Sequence, residues 1–222
     1  MRRELFERGL QDLQNRILNM GEQADRALRL SVEALKSRQP VLAEAVIKND
    51  QDINRERFGI EEAALTLIAT QGPVAHDLRL IAAVIHISSE LERMADHAKG
   101  IARLVEIMQK DAWVEIPDKI PEMAAKCSEM LRETLEAIRN SDAAAARRIA
   151  YKDDELDLLY EAIHPDLLQI MTRQPELVNP ATHLLWVAHN LERFGDRVVN
   201  ICERIIFVAT GEMVEINQNR NG

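Results

Sequence analysis

Glycine and proline are scarce in this 222-residue chain, at eight and seven, and aromatic side chains make up only 4% of it. Sheets draw on aromatic and β-branched runs punctuated by glycine-containing turns, so the shortage argues for an all-α fold with prolines at segment edges. Positive charge is short too, with a formal net charge of −9. Neutralising nucleic-acid phosphates takes a basic face, which excludes sequence-independent nucleic-acid binding, and few aromatics leave no stacking platform for single strands. The acidic balance suits cations, basic partner surfaces or simple solubility. Cys127 and Cys202 form no spaced motif and are expected as buried or half-buried thiols in a reducing compartment. No run of about 18 apolar residues predicts a membrane span. The charged opening Met1-Arg2-Arg3-Glu4 lacks an apolar signal region, and a cytoplasmic location is expected.

What the chain does have is helical periodicity. Leu10, Leu13, Ile17, Met20, Ala24 and Ala27 recur at spacings of three and four, predicting a first helix over 3–36. Pro40 suits the first turn of a second helix reaching to about 70, ended by Gly72 and Pro73. A third, over 74–109, is apolar on more than one face, as a central helix of a bundle needs to be. Residues 111–121 lose the period and form the boundary between two domains, 1–112 and 113–222. Then the design repeats, with helices over 122–140, 143–171 and about 179–210, and with Ser141 and Asp142 as cap candidates before the fifth. The polar tail Asn217-Gln218-Asn219-Arg220-Asn221-Gly222 is expected to fray.

The halves align residue by residue. Leu28-Arg29 through Leu35 matches Leu131-Arg132 through Ile138 at an offset of 103, and Asp50 matches Asp153 in the same register. After the turn into the third helix of each half the offset becomes 100. A repeat of this length means two tandem, sequence-related three-helix bundles.

Within the repeat, Leu91-Glu92-Arg93-Met94-Ala95-Asp96 returns as Leu191-Glu192-Arg193-Phe194-Gly195-Asp196. Glutamate and aspartate four apart lie one above the other on a helix, rotated by only about 40°, and repel one another. A cation, an arginine or a proton must offset that repulsion. The neighbouring helix of the second half adds Asp153 and Asp157, again four apart, with Glu155 and Glu203 nearby in sequence. The first half offers Asp50, with Asn54 in place of the second aspartate, so its site is expected to be the weaker. Several hard oxygen donors suit Mg²⁺, Mn²⁺, Ca²⁺ or oxygen-bound iron rather than a thiolate metal. Ion pairing to Arg93 and Arg193 is the plainer alternative. A single Glu161-x-x-His164 followed by Pro165 falls short of a di-iron bundle, which wants two such motifs. No glycine-rich phosphate loop, nucleophile elbow or paired-cysteine zinc motif is present.

Three stretches carry a family likeness: Gln71-Gly72-Pro73-Val74-Ala75-His76-Asp77-Leu78-Arg79, Leu91 through Ala98, and Leu191 through Arg197 with Asn200-Ile201-Cys202-Glu203. The sequence resembles the PhoU family over nearly its whole length. That resemblance implies two similar three-helix bundles with E(D)xxxD motifs able to hold clusters of divalent or trivalent cations, whether Mg, Mn, Fe or Zn. Carried over, the metal positions are Glu92, Asp96 and Asp50 in the first bundle and Glu192, Asp196, Asp153 and Asp157 in the second. Asn54 departs from the family pattern. The resemblance further implies a cytoplasmic negative regulator of phosphate uptake, linking a phosphate ABC transporter to a sensor histidine kinase, as a homodimer and without established enzyme activity. The rival readings are a metal-independent helical scaffold and a carboxylate-metal hydrolase, the latter requiring an open ligand position beside a substrate pocket.

Overall fold

The structure, a computed structural model, describes residues 2–216, and the expectation for the tail lies outside them. The described chain is helical, with elements α1 (Arg2–Ser37), α2 (Pro40–Gln71), α3 (His76–Met108), α4 (Lys119–Asn140), α5 (Ala143–Tyr151), α6 (Asp153–Arg173) and α7 (Val178–Thr210), plus a 3-10 turn, Pro175–Leu177. α1, α2 and α3 pack on one another, α4 to α7 repeat that arrangement, and α3 lies along α7 to join the two bundles. α3 and α7 have neighbours on several sides, which is why their apolar residues exceed one stripe. Leu91, Met94 and Ile101 on α3 and Leu191, Phe194 and Val198 on α7 are all sealed from solvent. Among the described residues, no helix is long and apolar enough to cross a membrane.

Backbone chemistry sets the helix ends. Gly72 takes the left-handed conformation (φ 59°) and returns its N–H to Ile68 O at 3.1 Å, and Gly211 does the same for α7, satisfying carbonyls that the helix leaves open. Asp142 caps α5 by accepting the Ala145 N–H at 2.8 Å, whereas Ser141, the other cap candidate, closes α4 in the left-handed region. α4 and α7 begin earlier than the sequence reading placed them, at Lys119 and Val178. Pro121 and Pro180 therefore lie inside first turns, where a missing N–H costs no hydrogen bond. Conversely, α3 starts late, at His76, because Ala75 adopts φ 48°.

One expected helix is broken. The fifth, expected unbroken over 143–171, is two helices meeting at Lys152. There the ladder tightens to three-residue bonds, Lys152 N–H to Ile149 O (2.9 Å) and Glu155 N–H to Lys152 O (3.1 Å). The Lys152 ammonium reaches α4 instead, donating to Glu129 and Glu133 at 2.6 Å each. This step drives Asp153 inward until it is 1% exposed. α6 there lies so close to α7 that a Cβ on Gly195 would overlap Leu156 Cδ2 and stand 2.8 Å from Asp153 Oδ1.

Across the α3–α7 seam the repeat becomes a local two-fold relation. His97 Nδ1 lies 3.2 Å from Asn190 Oδ1, and Arg197 donates to Glu90 at 3.3 Å, where Asn200 also donates at 3.0 Å. Residue 90 corresponds to 190 and 97 to 197, so one contact is the image of the other. The α1–α4 contact behaves likewise. Asp25 and Ser128, equivalent at the 103 offset, hydrogen-bond each other, and Arg29 pairs with Asp25 at 3.1 Å.

Gly195→Ala tests the close approach of α6. Alanine is the better helix former by about 1 kcal/mol, but its methyl must displace two fully buried groups, at about 1–3 kcal/mol or more. The expected outcome of thermal melting is a Tm lowered by about 3–6 °C, opposite in sign to the propensity gain.

Candidate functional site: two unequal carboxylate clusters

The acids singled out in sequence come together on two seams. α2 carries Asp50 and Asn54 against Glu92 and Asp96 on α3, and α6 carries Asp153 and Asp157 against Glu192 and Asp196 on α7. Burial and like charge together show in the acidities of the two glutamates. Burial raises Glu92 above the usual carboxylate range, with Asp96 and Asp50 adding to the rise and Arg57 and Arg93 opposing it. Glu192 is pushed up to about 7, first by burial and then by Asp196, with Asp157 and Asp153 contributing and Arg193 opposing. Lost hydration and like charge both disfavour the ionised form.

In the first bundle the repulsion is answered by ammonium and guanidinium. Lys99, one turn beyond Asp96 on α3, donates to Asp50 Oδ2 at 2.6 Å and to Asp96 Oδ1 at 3.0 Å. Burial of the Lys99 ammonium would lower its pKa, but these two bonds outweigh it and hold the group above its ordinary value. Arg57 lies over the Phe58 ring at 4.0 Å and pairs with Glu61 at 3.5 Å, close enough to Glu92 to act on it. Asn54 Oδ1 is buried and accepts no hydrogen bond.

The second bundle answers differently. The equivalents of Lys99, Arg57 and Asn54 are Val199, Tyr160 and Asp157, so two cations are gone and one acid is gained. Arg193 spans Glu192 (3.5 Å) and Asp196 (3.3 Å) from a half-exposed position. Rings take the vacated room. Tyr160 stands edge-on to His164 at 4.9 Å and tilted to His189 at 6.3 Å, and His189 meets Trp186 at 5.8 Å. His189 Nδ1 is 3.8 Å from Glu192 Oε2, and Glu192 helps raise the Tyr160 hydroxyl, after burial. Glu192 Oε2 is buried without a hydrogen-bond donor.

Glu155 and Glu203 do not join either cluster. Glu155 pairs with Lys126, and Glu203 accepts the Ile216 N–H at 2.9 Å. Cys127 and Cys202 are buried thiols, both raised by burial, Cys202 to about 12. Among the described residues, no three His, Cys, Asp or Glu side chains converge closely enough to hold a metal ion. The first cluster does not fit a metal, because two of its three carboxylates, Asp50 and Asp96, already bond an ammonium placed between them. The second fits one in charge and in donor type, since Glu192, Asp196, Asp153 and Asp157 supply hard oxygens, although side chains must turn before they form a coordination shell. Sequence reading missed Lys99, Arg57 and the ring array. Lys99 was open to it, three residues beyond Asp96 and replaced by valine in the repeat; Arg57 and the rings become neighbours only in three dimensions.

Comparison with known proteins places this geometry. A family model described as the PhoU domain matches residues 17–105 and again 120–205. A phosphate-specific transport system accessory protein PhoU homolog of Clostridium acetobutylicum is 36% identical, covering 98% of this chain and 100% of its own length. Its counterpart in Streptococcus pneumoniae is 32% identical over 97% and 100%. Crystal structures of the phosphate transport system regulatory protein PhoU from Streptococcus pneumoniae and of PhoU from Pseudomonas aeruginosa superpose with TM-scores of 0.89 and 0.88. Their identities to this chain are 32% and 27%, covering 95% and 93% of it and all of each solved chain. Matched twice along its length and aligned end to end with these relatives, the chain belongs to the PhoU family.

Proposed function

We propose that this protein is the accessory regulator of a phosphate-specific transport system and works by binding rather than by catalysis. The names its relatives carry support the transport role. The finer reading is a cytoplasmic negative regulator, dimeric, that links the transporter to a sensor histidine kinase when phosphate is plentiful. Its two halves, 1–112 and 113–222, respond unequally to cations. The observation carrying that reading is Glu192, which burial, and after it the three neighbouring aspartates, push up to about 7.

A divalent or trivalent cation, such as Mg, Mn, Fe or Zn, would supply the positive charge that the second cluster otherwise takes from a proton and Arg193. Glu192 and Asp196 on α7 and Asp153 and Asp157 on α6 are the residues to hold it. Drawing those two helices together fixes their relative rotation and so the outer face offered to a partner. The ion pairs of Arg193 favour a second reading, a scaffold in which the guanidinium alone suffices and cations leave the fold unaffected. A melting curve with and without Mn²⁺ at pH 8 separates the two.

Proton linkage gives a sharper check of the cluster itself. The native pKa of Glu192 lies above its ordinary value of 4.5, at about 7, so the folded state binds this proton more tightly than the unfolded one. Its contribution to stability is therefore fully present below about 4.5 and is lost as pH rises through about 7. In metal-free protein, the Tm difference between wild type and Glu192→Gln is expected to move in the wild type's favour on acidification from pH 8 to pH 5. A pH-independent difference overturns the shared cluster. For function, wild-type protein used as bait on native membranes should capture phosphate-transporter subunits at high phosphate more than at low phosphate. Glu192→Gln/Asp196→Asn should lose most of that capture while keeping its helical circular dichroism; equal capture by the variant removes the second cluster from the mechanism.

A further inference from the structure

In the first bundle Lys99 stands where a cation would. It rises from α3, is mostly buried, and bonds one carboxylate on α2 and one on its own helix, Asp50 at 2.6 Å and Asp96 at 3.0 Å. Those two acids belong to the set the family likeness assigns to metal. An ammonium making short bonds to both blocks the space between them and supplies the charge that space requires. We propose that Lys99 is a built-in counter-ion that replaces metal in the first bundle, so that cation binding by this protein is one-sided.

Several independent observations converge on that assignment. At the equivalent position the repeat has Val199, fully buried and without charge. Arg57, which acts on Glu92, is replaced by Tyr160, and Asp157 is represented by the neutral Asn54. Three changes at three positions thus move charge in one direction, adding positive and removing negative in the first bundle. Between Asp50 and Asp96 the positive charge is supplied by the chain itself. A tethered ammonium has no concentration dependence, whereas a bound ion does. The inference rests in part on the cation reading of the second bundle, but its own subject is the first.

The test is Mn²⁺ content and affinity, by elemental analysis after dialysis and by calorimetric titration. Variants are Glu92→Gln/Asp96→Asn, Glu192→Gln/Asp196→Asn, Lys99→Met and Lys99→Met/Asp96→Asn. The first pair is expected to leave Mn²⁺ binding by the otherwise native protein unchanged. Lys99→Met frees Asp50, Glu92, Asp96 and the buried Asn54 oxygen; it should gain at least one Mn²⁺ equivalent, lose it again with Asp96→Asn, and recover with Mn²⁺ any Tm it lost. Should Lys99→Met not fold, Lys99→Gln keeps the reach and a donor while removing the charge, and the same gain is expected. Loss of Mn²⁺ from Glu92→Gln/Asp96→Asn overturns the proposal, as does a folded Lys99 variant that gains none. If the native protein binds no Mn²⁺ but Lys99→Met does, the second-bundle reading fails and the role of Lys99 stands.

Discussion

Two carboxylates one turn apart on a helix, facing a neighbouring helix that carries a third, cannot all stay ionised in a half-buried seam unless positive charge lies among them. Moving such groups out of water costs several kcal/mol each when they are uncompensated, comparable with a large share of a domain's net stability. The constraint follows from geometry. α3 and α7 must bury apolar residues against several neighbours, which leaves few edges for polar side chains, among them those where α2 and α6 pass. Glu92 and Asp96, and again Glu192 and Asp196, occupy those edges.

The two bundles meet the constraint by different means, and the local backbone follows. In the first, α2 runs unbroken past Asp50 and an ammonium from α3 fills the gap. In the second, no lysine stem occupies that gap, and α6 starts afresh after Lys152 with Asp153 turned inward against Gly195. Ala95 stands at the corresponding place on α3. A glycine in mid-helix is unfavourable by itself; here it admits α6 at a distance that a methyl group would not allow. The helix break, the glycine and the missing lysine thus form one local solution.

How much of this was legible beforehand follows from the range of each interaction. The duplication and the all-helical fold depend on periodicity within a helix and on register between halves, both present in the linear order, and glycine caps act over four residues. The break at Lys152 was not legible because its residues have no breaker chemistry; Lys152 is drawn to Glu129 and Glu133 on α4, a contact between distant segments. Pro165, a residue that breaks helices in isolation, is accommodated within α6. The acids Asp50, Asp153, Asp157, Glu92, Asp96, Glu192 and Asp196 were found because their spacing and duplication mark them. Their counter-charges were harder to find, since lysine and arginine stems reach far and several nearby residues are within range. Aligning the halves and asking which cations fail to repeat singles out Lys99, Arg57 and their neutral equivalents.

The inter-bundle seam lies next in line from both clusters. Successive helical residues are about 100° apart, so Asp196 faces α6 while Arg197 turns toward α3 and holds Glu90; on α3, Asp96 and His97 repeat that division, His97 meeting Asn190. Rotation of α7 that brought Asp196 toward an ion on α6 would therefore carry Arg197 relative to Glu90. The image contact, His97 with Asn190, is not an ion pair, and burial keeps the imidazole below its ordinary pKa. Both seam contacts therefore start one residue from a cluster acid, Asp96 beside His97 and Asp196 beside Arg197, which ties the packing of the two bundles to the acids at their outer edges.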